Sequence, residues 1–467
     1  MKPNEITQDW NRRDFLKGSS FAAMMVAMGG VPLHAADPAK TETKEETKYS
    51  SAEEPMNVGL IGCGNWGKEI LTTLAKMPIA PVVAICDSYP AFLKRAGEQL
   101  APKAERYPEY QKLLENKEVK GVIVATPSHQ HKEIVLAALA AGKHVYCEAP
   151  LATTMDDARV IAKAAQANLK LNFQTGLQTR SDAQVRFLAN FVRTGVLGKA
   201  AALRAQYHKK QTWRRTSPNP DREKDLNWRL EKDVSLGLIG EIGIHQVDLA
   251  NWYLLGLPTA VTGFGSIQHP DNKADGRQVA DTIVTVFEYP GGAMLNYDAT
   301  LANSFDGEYG MLYGTDSAIM MRERRAWMFK EVDAPLLGWE VYARKENFYK
   351  ESGVVLGMDA TKNTPAKKDT DSSGQAVVDV KSALQYAFES FIANSNAITS
   401  AYDDFAASFN VNDAVALKSY MANIFKAKAA SAGYKEGYEA AVCAIKANEA
   451  VVKSQKIVFA KEWFALA

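Results

Sequence analysis

Three glycines constrain this chain more than any other feature. Gly62, Gly64 and Gly67 stand in G-x-G-x-x-G spacing within GLIGCGNWGKEI, directly after the apolar run of NVGLIG. The first permits a tight turn, the second brings backbone up to a pyrophosphate, and the third lets a helix pack on the strand. Unpaired N–H groups and the dipole at the start of that helix favour an anion. Further apolar runs follow: VVAICD (Val82–Asp87), GVIVATP (Gly121–Pro127), HVYCEAP (His144–Pro150) and KLNFQTG (Lys170–Gly176). Segments of helical length, such as His131–Gly142, lie between them. Continuous apolar strands alternating with helices predict a parallel sheet covered on both faces. The second strand ends at Asp87, whose carboxylate suits an adenosine ribose and repels a 2′-phosphate, so NAD is expected rather than NADP.

After about Ala200 the pattern changes. AALRAQYH, TAVTGFGSI, DTIVTVFEYP and GAMLNYDATL alternate with a period near two, as antiparallel strands with one packed face do. One helical element, Gly240–Gly256, interrupts them. The expected class is therefore α/β: a doubly wound, Rossmann-type parallel sheet over 56–178, then an α+β domain over 179–360 with an open, mostly antiparallel sheet. A polar run, 361–374, leads to a C-terminal helical region, 375–467, packing back on the core. Within it, roughly Asn396–Tyr434 reads as an inserted helical excursion.

The four cysteines form no CxxC pair, and a net charge of +1 gives no field to recruit nucleic acid or acidic membranes. Neither a disulfide framework nor a zinc site is expected; small buried thiols are. At the N-terminus, Arg12 and Arg13 precede Phe15, Leu16 and Lys17, and a soft apolar run follows to Leu33. That order of charge, apolar run and small residues (Ala35, Ala36) reads as a twin-arginine export signal over 1–36, too short to be a stable membrane anchor. Residues 37–55, rich in Lys, Glu and Thr, read as a disordered linker. The expected location is the periplasm or another extracytoplasmic space, reached by the twin-arginine machinery.

GLIGCGNWG, GVIVATPSHQHKEIVLAALAAGKHVYCEAPLA, FQTGLQTR and EIGIHQVDLANWYLLG together resemble the Gfo/Idh/MocA family, named for glucose–fructose oxidoreductase, inositol dehydrogenase and a rhizopine-catabolism protein. The resemblance runs from about Met56 to the C-terminus. It implies a nicotinamide held between the two domains. It implies cofactor contacts from Gly62, Gly64, Asn65, Trp66, Gly67 and Asp87, from the loop residues Thr126, Pro127, His129 and His131, from Glu148, and from Gln174 on a strand end. A metal on His129 and His131 is not expected, because no Asp or Cys partner is near in sequence. The family usually reads Glu-Lys-Pro where this chain has Glu148-Ala149-Pro150, so its usual proton-relay lysine is missing.

Glu241 and His245 are one helical turn apart and share a face. The resemblance points them at the substrate, with Glu241 expected to orient the imidazole and His245 to move the proton. Asp248 lies one turn further and is expected to anchor the helix. The loop Tyr207–Asp233 carries Tyr207, Lys209, Trp213, Arg214, Trp228 and Arg229, residue types able to clasp a sugar or to lie in a solvated loop. Tyr207, His208 and Lys209 are the reserve proton acceptors. The expected activity is exported, NAD(P)-dependent oxidation of a sugar, sugar derivative or cyclitol by hydride transfer to a tightly bound NAD, in a homo-oligomer. The alternatives are an NAD-dependent glycoside hydrolase or lyase with no net redox change, and a sugar-binding homologue with impaired catalysis.

Overall fold

The computed structural model describes residues 54–268, 276–322, 324–341, 343–348, 351–357 and 381–466. The expected export signal, all but the end of the 37–55 linker and the polar run 361–374 lie outside them.

In the first sheet, β1 (Val58–Ile61) leads into α1 (Asn65–Leu74), β2 (Val82–Cys86) into α2 (Pro90–Gln99) and β3 (Glu105–Tyr107) into α3 (Tyr110–Glu115). Then β4 (Gly121–Val124) leads into α4 (His131–Ala140) and β5 (His144–Cys147) into α5 (Met155–Ala167), and β6 (Phe173–Thr175) closes the sheet. All pairs are parallel, in the order β3-β2-β1-β4-β5-β6, the doubly wound arrangement whose switch point lies at the carboxyl ends of β1 and β4. Every residue of β1, β4 and β5 is buried because helices cover both faces. In α1, Gly67, Ile70, Leu71 and Leu74 form the buried stripe that holds it on the sheet. The apolar runs of the sequence do not reveal β3. It is a polar, three-residue edge strand that buries too little to leave such a run.

The chain then passes through α6 (Ala183–Phe191), β7 (Ala200–His208), α7 (Pro220–Leu226) and α8 (Ile244–Tyr253) into the strands of the second sheet. These are β8 (Ala260–Ser266), β9 (Thr282–Glu288), β10 (Met294–Thr300), β11 (Glu308–Gly314), β12 (Ser317–Arg322), β13 (Arg325–Lys330), β14 (Lys345–Phe348) and β15 (Glu351–Leu356). With β16 (Lys456–Val458) at one edge, the order is β14-β15-β13-β12-β11-β7-β10-β9-β8-β16. In this sheet only the β7–β10 pair is parallel among the described strands. On β10, Leu295, Tyr297 and Ala299 are buried beneath helices, while Met294 and Asn296 are exposed on the open face.

Three C-terminal helices join the sheets: α9 (Ala383–Ser408), α10 (Ala414–Ala427) and α11 (Tyr434–Lys453). Helix α9 lays Leu384, Phe388 and Phe391 on Leu60, Ile123 and Tyr146 of the first sheet. The expected excursion does not begin at Asn396, because no helix breaker stands there and α9 runs unbroken to Ser408. Beyond that point Ile398 and Phe405 pack with Leu417 and Met421 of α10 as a helical hairpin. The Ala-rich α11 lies close to β8, α5 and α8 at once. Its entry is tied to β6, where the Thr175 N–H donates to Ala432 O and its hydroxyl to Gly433 O. No helix among the described residues is long and apolar enough to cross a membrane, and all four cysteines are free and buried.

Under α9, His144 accepts from the Asn172 N–H at 2.9 Å and donates to Thr399 Oγ1 at 3.0 Å. Burial, with Lys428 nearby, holds its pKa down at about 4. A histidine in the unfolded chain titrates near 6.5, so between those values the unfolded chain binds the extra proton and stability falls as pH drops. We predict that His144→Gln flattens the loss of denaturation midpoint between pH 6.5 and 4, an effect of order 3 kcal/mol at the low end. An unchanged slope would remove His144 as a source of acid sensitivity.

Candidate active site between the two sheets

The turn after β1 is built for a close approach. Gly62 has φ +102°, and a Cβ there would sit 2.5 Å from Ala125 O. A Cβ on Gly67 would sit 2.1 Å from Gly62 O, so the third glycine is what lets α1 close on its own loop. Gly64 caps α1, no side chain bonds back to the helix, and the nearest atom to a Cβ there is 3.9 Å away. The amides of Asn65, Trp66 and Gly67 therefore open onto free space suited to an anion. Asp87 ends β2 beside them. Its two oxygens accept from the Cys63 and Tyr89 N–H groups, each at 2.7 Å. Burial raises its pKa, while those two N–H groups, Arg222 and Arg95 pull it back down.

Ala125 and the Thr126 nitrogen follow β4 directly against Gly62, Pro127 comes next, and Glu148 follows β5. Burial lifts the Glu148 carboxyl to about 7 against the pull of the Trp66 indole N–H and the Ala149 N–H. Thr126 Oγ1, His129 Nδ1, Glu148 Oε1 and His245 Nδ1 are buried and make no hydrogen bond within the described chain. Buried polar atoms are nearly always paired, so this set at one end of the glycine loop marks where a bound group completes the structure. With Asp87 at the other end, the residues present fit a dinucleotide.

Two of the expected cofactor contacts are placed otherwise. His131 is buried with both ring nitrogens against backbone carbonyls, Pro150 O at 3.0 Å and Thr126 O at 3.1 Å. It clamps the β4 and β5 loops together, and burial holds its pKa down at about 4. Gln174 turns away under α9 and donates to Ala387 O at 2.8 Å. Alternation along β6 sends its side chain to the face that α9 covers.

Opposite the glycine loop, Ile239–Gly243 forms one π-helical turn that runs into α8. Glu241 projects from it, and its carboxylate accepts from Ser128 Oγ at 3.2 Å and from Arg229 Nε at 3.1 Å. The expectation that Glu241 orients His245 is thus corrected, because its oxygens are held by a hydroxyl of the first domain and a guanidinium of the loop. Burial raises the Glu241 pKa while Arg229 and Ser128 oppose the rise. Burial alone lowers His245 to about 4, which leaves a neutral imidazole. Asp248 does anchor the helix: the Arg180 guanidinium grips it through Nε and Nη2, each at 2.8 Å. Ala149 packs on Leu177, Ile244 and small residues of the C-terminal helices, so the place of the family lysine is apolar.

The loop after β7 divides in two. Trp228 meets the His129 ring edge-on at 5.7 Å, and Arg229 lies 4.8 Å from the Trp228 ring and 5.9 Å from Trp213. Arg214 faces away from this cluster and pairs with Glu223 at 2.5 Å. Tyr207 lies on the helix-covered side of the sheet, and Lys209 is exposed with its charge felt by Glu308. His208 points to the open face, 2.5 Å from Asp298, which removes it from the reserve acceptors. Ser128, Gln246 and Glu308, the last two joined at 3.4 Å, were not singled out from sequence. Ser128 sits between two more conspicuous residues of its motif, and nothing local shows which side chain crosses to the second domain.

Residues 56–176 match the family model described as "Oxidoreductase family, NAD-binding Rossmann fold", and residues 185–320 match the GFO/IDH/MocA C-terminal domain. The chain belongs to the Gfo/Idh/MocA family. A levoglucosan dehydrogenase of Pseudarthrobacter phenanthrenivorans is 26% identical over 302 residues, 58% of this chain and 74% of that one. An inositol 2-dehydrogenase of Salmonella typhimurium is 28% identical over 200 residues, 43% of this chain and 54% of the enzyme, so the match spans about half that relative. Among solved structures, a levoglucosan dehydrogenase in complex with NADH and levoglucosan superposes with a TM-score of 0.63 at 20% identity, over 87% of this chain and 100% of the other. As a Gfo/Idh/MocA oxidoreductase the chain uses a nicotinamide dinucleotide, which when bound supplies a hydride acceptor.

The contact of Glu148 with the nicotinamide ribose that the resemblance implies would give a pH dependence. A cationic ring favours the carboxylate, so NAD+ should bind more tightly as pH rises through 7, roughly tenfold between pH 6 and 8. Neutral NADH should show much less change, and Glu148→Gln should flatten the NAD+ profile. Parallel NAD+ and NADH profiles in the parent protein would separate Glu148 from the ring.

Proposed function

We propose that this protein oxidises a secondary alcohol of a sugar, sugar derivative or cyclitol, with the hydride passing to a tightly held NAD. The observation that carries the reading is the meeting of two sets of groups. The β4 and β5 loops bring Thr126 and Glu148 to one side, and the π turn and α8 bring Glu241 and His245 to the other. In this reading the neutral His245 takes the hydroxyl proton as the C–H hydride leaves. Arg229 and Ser128 fix Glu241, and the Trp213–Arg229–Trp228 stack walls the cleft from water. Relatives named for levoglucosan and inositol support a polyhydroxylated ring as the substrate class.

A second reading is supported by the missing lysine and by another relative. A 2,7-anhydro-N-acetylneuraminate hydratase of Escherichia coli is 25% identical over 266 residues, 56% of this chain and 67% of that one, and hydration involves no net oxidation. A cycle that oxidises, eliminates or adds, and then returns the hydride would need no exchange of cofactor. The proposed twin-arginine export of Arg12 and Arg13 requires that a cofactor loaded before export be regenerated in place: in the first reading the bound NADH passes its hydride to the carbonyl of a second substrate, and in the second it returns the hydride to the same substrate.

His245→Ala should slow single-turnover reduction of bound NAD by roughly 10²–10⁴-fold, the usual worth of a positioned acid–base group. Glu241→Gln should cost less, since it weakens the hold of Arg229 and Ser128 but leaves the imidazole. Reduction at the parental rate in His245→Ala would make the histidine structural. An oxidised sugar among the products supports the dehydrogenase; a cleaved or hydrated product of unchanged oxidation state supports the second reading.

A further inference from the structure

The loop between β7 and the π turn spans more than the catalytic end of the cleft. At its C-terminal end, Arg229 holds Glu241 and Trp228 abuts His129. At its middle it reaches the other end of the glycine loop, where Ser217 Oγ lies 3.5 Å from the Tyr89 hydroxyl. Tyr89 is the residue whose N–H holds Asp87. Arg222, on α7, lies close enough for Asp87 to feel its charge, as does Arg95 of the first domain. Asp225, also on α7, acts in the same way on His129.

This segment is tied to itself by side-chain bonds. Arg214 pairs with Glu223 at 2.5 Å, and Glu223 also accepts from the Ser217 N–H at 3.2 Å. Asn227 accepts from the Arg215 N–H at 2.7 Å and donates to Arg215 O and Glu223 O, each at 2.8 Å. The strap is therefore a preformed knob beside the dinucleotide site, touching the first domain through Ser217 at Tyr89 and through Trp228 at His129. The glycine loop and the open amides of α1 lie between those two points.

We propose that the strap, residues 209–230, is the outer wall of the dinucleotide site, with Ser217 and Arg222 closing on its adenosine end, so that the cofactor leaves only when the strap lifts. The proposal rests on dinucleotide binding and is independent of the substrate reading above. It also gives the region around Asp87 a second property. The charges of Arg222 and Arg95 both act on the Asp87 carboxylate, so removing that carboxylate leaves net positive charge beside the ribose position, which favours a 2′-phosphate.

The test uses the full-length protein loaded with NADH. Its release into excess NAD+ is followed by fluorescence. Ser217→Ala with Arg222→Ala should speed release tenfold or more while changing the association rate less. Asp87→Ala should bind NADPH at least tenfold more tightly than the parent does, and adding Arg222→Ala should erase that gain. The second comparison measures a contact with the cofactor that a merely structural role of Arg222 would not produce. Release within twofold of the parent, or an NADPH gain in Asp87→Ala that survives loss of Arg222, would overturn the proposal. A parent that held no NADH would instead fault the cofactor assignment, leaving the strap out of the question.

Discussion

The buried ion pair of Arg180 and Asp248 sets where the two halves of the cleft stand. Arg180 follows the last strand of the parallel sheet, and Asp248 lies on the helix that carries His245, with 1% of its side chain exposed. Two charge-assisted hydrogen bonds in a planar fork fix both distance and orientation. A pair this buried tolerates no loss of one partner, since an uncompensated charge typically costs about 3–5 kcal/mol. The helix is fixed to the segment that leaves β6, so Glu241 and His245 keep their station opposite the β4 and β5 loops. The contacts of Thr175 with the start of α11 brace the same junction from the other side.

The parts legible in sequence are those where backbone geometry or burial dictates residue type. Gly62 and Gly67 had to be glycine because a single added carbon would strike a carbonyl oxygen, and that demand shows as a motif. The strands β1, β4 and β5 were legible because both faces are covered, and β3 was not because neither its length nor its polarity leaves a trace. Asp248 was read as an anchor from its helical phase, although its partner lies 68 residues away and no local pattern names it.

Side-chain pairing was less legible. Helical phase put Glu241 beside His245, but periodicity reports only which face a residue shares. It does not weigh a neutral imidazole against a guanidinium and a hydroxyl arriving from 12 and 113 residues away. Charge and burial decided in favour of Arg229. His131 and Gln174 show the same limit. Both belong to motifs that surround the cofactor, yet His131 spends its ring nitrogens, and Gln174 its amide nitrogen, on backbone carbonyls that join one element to another.

The π turn at Ile239–Gly243 carries a consequence for how this chain compares with others. Such a turn, bonded i to i+5, holds one residue more than an α-helical turn would. Deleting one residue there would restore regular winding and roll everything upstream of α8 by roughly 100°. Glu241 would then face away from Ser128, while His245 and Asp248 stayed in place. Chains identical at every chemical residue could therefore differ in how their cleft is closed through a change of length alone, and a residue-by-residue correspondence drawn without a gap at this turn would miss it.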